Sequence, residues 1–147
     1  MEFCKLNKEF VIDEYTIKEV QMSFMKGDKG IAYHYVDFGK FNSQLGGHPD
    51  RNKITYVEAS TGSLGHGLPI AIGMALAKRA QNLSGNVYVL VGDGECNEGT
   101  IWESALLASH HGLENLCCIV DFNHSTDRAL SMGSIVKKFE AFDWSTK

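Results

Sequence analysis

The sequence predicts an α/β fold in three layers, α/β/α, built on a mostly parallel sheet. Three observations predict it. The apolar runs over 87–91 (VYVLV) and 116–122 (LCCIVDF) have the length and composition of buried strands. The stretch between them, 98–111, carries apolar side chains at helical spacing, and so does 68–81 ahead of the first run. Gly92-Asp93-Gly94 follows the first run directly, at the carboxyl edge where open α/β sheets bind ligands.

The elements follow in order. Residues 1–25 mix polarity, and Val11, Ile12, Tyr15, Ile17, Val20, Met22 and Phe24 keep no long period. A turn-rich break at 27–30 precedes Ile31, Tyr33, Tyr35, Val36 and Phe38, which suit a short helix or a strand, and then a loop over 39–51. The glycine-rich stretch 61–67 introduces a helix over 68–81, with Leu68, Ile72, Ala75, Leu76 and Arg79 in helical register. Pro69 falls in its first turn, where the missing N–H is harmless. The helix over 98–111 should bury Ile101, Ala105, Leu106 and either Ala108 or Ser109, and Gly112 should end it as a C′ residue. As the crossover between the strands at 87–91 and 116–122, this helix makes the pair parallel. Ile135, Val136, Phe139 and Phe142 give a further helix within 134–142, with Trp144 just beyond.

A chain of 147 residues that is 44% hydrophobic is long enough for one core and short for two, so 1–147 reads as a single domain. The net charge of −4 is spread without a basic stripe, which excludes nucleic acid and membrane surfaces as expected partners. No apolar stretch reaches membrane-span length, and the first residues lack a signal-peptide pattern, so the expected compartment is the cytoplasm. Cys4, Cys96, Cys117 and Cys118 form no CxxC units and read as reduced, mostly buried thiols.

The chemistry concentrates at the ends of the two runs. Asn123 closes the second run thirty residues after Asp93, so a parallel pair brings the two side by side. A carboxylate, an amide oxygen and a main-chain carbonyl near Ser125 are hard oxygen donors that suit Mg²⁺, with positions left for phosphate oxygens and water. Gly94 would offer its N–H to a diphosphate. The competing reading of Asp93 is a cap for the following helix.

These strings resemble the transketolase family. Gly92-Asp93-Gly94-Glu95, Asn97-Glu98-Gly99, Trp102-Glu103, His110-His111 and Asp121-Phe122-Asn123 fall where that family has them. So do Gly47-His48-Pro49-Asp50 and Glu58-Ala59-Ser60-Thr61-Gly62-Ser63-Leu64-Gly65. The resemblance runs from about Gly27 to Trp144 and implies an incomplete thiamine-diphosphate-binding fold, part of the diphosphate-binding domain.

The resemblance implies thiamine diphosphate held with Mg²⁺ (or Ca²⁺) and two-carbon ketol transfer between sugar phosphates. It places Gly62, Leu64, His66, Gly92, Asp93, Gly94, Glu95 and Asn123 at the cofactor and Asp93, Asn123 and Ser125 at the metal. His48 would meet the donor sugar's hydroxyls, while Glu98 and Glu103 would serve a subunit interface and a carboxylate relay. Those two acids, about 140° apart on a helix, equally suit solvated positions near its N-terminus. Because the activating glutamate belongs to a pyrimidine-binding domain that lies outside the resemblance, a homo- or hetero-oligomer with a pyrimidine-binding subunit is implied. The alternative is a non-catalytic remnant acting as an interaction module.

Two departures from the family bear on this choice. Met25-Lys26-Gly27-Asp28 stands where relatives have a Ser-Lys-Gly-His string, and His124-Ser125-Thr126-Asp127-Arg128 follows Asn123 in place of a run toward Asp-Gly. An uncompensated Asp28 about 6 Å from a diphosphate would cost roughly 3 kcal/mol at an effective dielectric of about 20.

Overall fold

The structure is a computed structural model, and it describes residues 2–5, 39–44, 46–54, 57–124 and 130–147. The predicted segment at 31–38, Asp28 and Ser125 lie outside the described residues. The chain divides into two compact units, one of residues 1–7 and 63–147 and the other of residues 8–62.

In the first unit, strand β1 (Glu2–Lys5) is followed by helix α1 (Gly67–Ala80), strand β2 (Val87–Gly92) and a 3₁₀ turn (Glu95–Asn97). Helix α2 (Gly99–His110), strand β3 (Leu116–Asp121), helix α3 (Ile135–Glu140) and strand β4 (Ser145–Thr146) complete it. The strands form a parallel sheet in the order β2-β3-β1-β4. A parallel sheet carrying helices is the expected α/β architecture, in incomplete form.

Alternation along the strands decides which face the helices cover. Val87, Val89 and Val91 register with Leu116, Cys118 and Val120 and form one apolar face. Helix α1 packs on that face and α2 packs against α1. Leu68, Ala71, Ile72 and Ala75 of α1 are buried there, with Ile101, Ala105 and Ala108 of α2. The other face is uncovered at Tyr88 and Leu90, which are 60% and 53% exposed.

The helix ends follow local chemistry. Gly112, at φ +54°, is the C′ residue of α2, with its N–H on Ser109 O and the Leu113 N–H on Ala108 O, a Schellman pair. Asn82 (φ +55°) ends α1 in the same way, with its N–H on Arg79 O and the Leu83 N–H on Lys78 O. Ser134 caps α3 by accepting from the Lys137 N–H at 3.2 Å.

Two expectations are corrected. Leu106 is 57% exposed, because the buried stripe of α2 is Ile101, Ser104, Ala105 and Ala108, and Leu106 lies about 100° from Ala105 around the helix. Residues 2–5, read as patternless, pair with both β3 and β4 and so form an inner strand.

In the second unit, turns organise the described residues. Asp50 accepts the Asn52 N–H at 2.9 Å and the Ser60 hydroxyl at 3.4 Å, while Thr61 N–H donates to Pro49 O at 3.3 Å. The Asn52 N–H, above all, holds the Asp50 carboxyl below its ordinary value, with Lys53 adding to the effect. Among the described residues no helix is long and apolar enough to cross a membrane.

Candidate functional site

The candidate site lies at the end of β2. Its last residue, Gly92, registers with Asp121, and the Asp93 N–H extends the ladder to Asp121 O at 3.0 Å. This pairing brings Asp93 to the end of β3, whose chain runs on through Phe122 to Asn123. The Asp93 side chain is buried, 1% exposed, and its Oδ1 accepts the Gly94 N–H at 2.7 Å. That same N–H is the donor expected for a phosphate. Asn123 is exposed and donates its amide to Asp121 Oδ2 at 3.0 Å, which turns its carbonyl oxygen away from that carboxylate. Asp121 is therefore a neighbour of the candidate residue Asn123 that sequence reasoning gave no role; its place two residues before Asn123 was the available signal.

Beyond Asp93 the backbone tightens into the 3₁₀ turn, with Cys96 N–H on Asp93 O and Asn97 N–H on Gly94 O. Asn97 Nδ2 also donates to Gly94 O at 3.2 Å, and Trp102 Nε1 donates to Cys96 O at 2.8 Å. Asn97 Oδ1 and Thr100 Oγ1 are buried with no hydrogen-bond partner among the described residues. Glu98 and Glu103 are both exposed, the first as the N-cap residue of α2 and the second in that helix.

The loop before α1 supplies Leu64 and His66, both exposed, with His66 Nδ1 donating to Leu64 O at 2.9 Å. Between them Gly65 is buried at φ +79°, and its N–H donates to Glu95 Oε1 at 2.8 Å. The second oxygen of Glu95 accepts the Gly92 N–H at 3.3 Å. In this unit the fold thus gathers Gly65, Gly92, Asp93, Gly94 and Glu95 around one turn.

His48 and Gly62 meet in the second unit. Gly62 has φ +143°, and a Cβ there would sit 2.8 Å from His48 Cγ, so the imidazole lies directly on the glycine backbone. His48 remains exposed.

The donors suit a hard cation in chemistry: a buried carboxylate and an amide oxygen on adjacent strand ends. Among the described residues no group of three or more His, Cys, Asp or Glu is placed to hold a metal.

Cys96 is buried in the same turn. Burial first, and then the charges of Glu95 and Asp93, push its thiol up to about 12; burial likewise raises Cys118. Thiol protonation therefore favours the fold below about pH 9, and this contribution is lost as pH climbs toward 12. Native protein should resist iodoacetamide at pH 8 at Cys96 and Cys118, which are free and buried, and label readily in urea. Mass spectrometry showing rapid native labelling of Cys96 would contradict the buried, protonated thiol.

Comparison with known proteins agrees with this architecture. The family described as "Transketolase, thiamine diphosphate binding domain" matches residues 34–147. The chain belongs to the transketolase family and corresponds to part of its thiamine diphosphate-binding domain. It is 44% identical over 106 residues to one of the subunits of an apulose-4-phosphate transketolase from Actinobacillus succinogenes, covering 69% of this chain and 38% of that one. A 6-deoxy-6-sulfo-D-fructose transketolase subunit of a Clostridium species is 35% identical over 107 residues, covering 69% of this chain and 39% of that one. The crystal structure of a Pichia stipitis transketolase mutant in complex with fructose-6-phosphate superposes with a TM-score of 0.73 at 25% identity. That alignment covers 97% of this chain and 22% of the yeast enzyme. The chain thus spans about two fifths of the length of the two subunit relatives.

Proposed function

We propose that residues 1–147 form one partial diphosphate-binding domain of a two-component, cytoplasmic transketolase. In this reading the chain binds thiamine diphosphate through Mg²⁺ (or Ca²⁺) and works with a pyrimidine-binding subunit to move a two-carbon ketol unit between sugar phosphates. The observation that carries the reading is the buried Asp93 carboxylate at the end of a parallel strand, joined through its N–H to Asp121 and followed by a glycine turn.

Asp93, Asn123 and the main-chain carbonyl of Ser125 would hold the cation. Gly92, Gly94 and His66 would line the diphosphate end, with Glu95 bonded to the backbone beside them, and Gly62 and Leu64 are the residues that the family resemblance assigns to the rings. When bound, the cofactor supplies the chemistry that breaks and makes the carbon–carbon bond. The chain's own residues bind and orient. His48, exposed and seated on Gly62, offers its imidazole to a sugar hydroxyl. Glu98 and Glu103 project from α2 to meet the partner and pass a proton along a carboxylate relay. Relatives named as subunits support a separate partner, and their different sugar substrates leave the sugar itself to experiment.

The test is reconstitution. Alone, the chain is expected to show no ketol transfer; mixed with a separately expressed pyrimidine-domain subunit it should gain turnover in a coupled assay. Silence of the mixture, with the partner proven active alongside another diphosphate-binding subunit, would favour a remnant acting as an interaction module, the reading that Asp28 supports. Turnover by the partner-free chain would overturn both readings.

A further inference from the structure

Glu95 directly follows the Gly92-Asp93-Gly94 turn, yet both of its oxygens are spent on main-chain donors: Gly65 N–H at 2.8 Å and Gly92 N–H at 3.3 Å. Local geometry aims each donor at the carboxylate. Among the described residues β2 is an edge strand whose inner neighbour is β3, and the Asp93 N–H already points inward to Asp121 O. The Gly92 N–H, one residue earlier, therefore points away from β3, where no strand among the described residues accepts it. Gly65 sits in the 61–67 loop at φ +79°, and a Cβ there would collide with Thr100 Oγ1 and approach Glu98 Cβ to 2.7 Å. Its backbone is thus pressed against the start of α2 with its N–H turned to Glu95. One carboxylate spans the two loops, and charge-assisted bonds are the stronger kind.

We infer that Glu95 is a positioning residue: a two-pronged clamp that holds the Gly65 loop against the Gly92-Asp93-Gly94 turn without touching the cofactor. The inference rests on the reading of these two loops as the diphosphate site, and it assigns Glu95 to the scaffold of that site. The clamp prearranges the main chain before ligand arrives, so ordering that would otherwise oppose binding is already complete. Glutamine keeps one acceptor oxygen and places an NH₂ against the other N–H, so it preserves a single prong.

The test uses the full chain, with Glu95→Ala and Glu95→Gln. Residue-resolved amide exchange in the cofactor-free protein is expected to speed up about tenfold or more at both Gly65 and Gly92 in Glu95→Ala, on the order of one charge-assisted hydrogen bond each. It should speed up at one of them in Glu95→Gln, with Ala108 and Cys118 unchanged in both variants. Calorimetry with thiamine diphosphate and Mg²⁺ should then show about tenfold weaker binding for Glu95→Ala and an intermediate loss for Glu95→Gln. Unchanged exchange at both amides would overturn the clamp. Faster exchange with unaltered affinity would overturn its positioning role, and lost affinity with unaltered exchange would make Glu95 a direct cofactor contact. If the unaltered chain binds no thiamine diphosphate, the proposed function falls, and exchange alone judges the clamp.

Discussion

Asp93→Ala is expected to lower thiamine diphosphate affinity in the presence of Mg²⁺ by at least about a hundredfold, beyond the roughly 10- to 100-fold that follows loss of an outer-shell partner of a metal site. The diphosphate and the Asp93 carboxylate carry the same sign, so they can share a site only with a cation between them. Asp93 is also the buried acid of the turn, and a buried carboxylate is costly unless it is paired or coordinates a metal. Binding should accordingly vanish with a chelator and return with Mg²⁺ or Ca²⁺. Calorimetric titration decides the matter. Equal affinity with and without chelator, or an unaltered affinity in Asp93→Ala, would remove Asp93 from the metal site. The protein's stability gives the complementary readout: thiamine diphosphate should raise the melting temperature of the unaltered chain only when the cation is present, and should leave Asp93→Ala where it was.

The second large effect is on folding. Phe139→Ala should cost about 3–5 kcal/mol of stability, the usual range for emptying a buried aromatic site. Phe139 is fully buried, its ring 5.2 Å from both the Trp102 and Trp144 centroids. Helix α3 spans Ile135–Glu140, too short to persist by local hydrogen bonding, so packing must hold it in place. Trp144 adds a buried hydrogen bond from Nε1 to Ala105 O at 3.0 Å, which ties the end of the chain to α2. The substitution should free α3 and loosen Trp144, seen as a lower urea midpoint and red-shifted tryptophan emission. A loss under about 1 kcal/mol would mean that the aromatic cluster is peripheral to the core.

The sequence predicted the long elements closely because each carries its own pattern. The 87–91 run became Val87–Gly92, 68–81 became Gly67–Ala80, and 116–122 became Leu116–Asp121. Each repeats apolar residues over enough positions for the period to be read. Glu2–Lys5 and Ser145–Thr146 are too short to show a period; they are strands only because β3 and one another lie alongside. Leu106 went astray because a Leu in a helix reads as core wherever it falls near the stripe, and the neighbour that decides its burial is not in its own helix.

The transketolase family was legible from ordered strings alone: Gly92-Asp93-Gly94-Glu95, Gly47-His48-Pro49-Asp50 and the 58–65 stretch are local signatures, and local chemistry is written in local sequence. Roles between distant residues are not. That Glu95 gives an oxygen to Gly65 and that His48 rests on Gly62 follow from a hydrogen bond and a close approach between residues far apart in the chain. Periodicity and propensity report what a residue prefers along its own segment. Which donor a carboxylate reaches is decided only when strand pairing and helix packing bring separate segments within about 3 Å of each other.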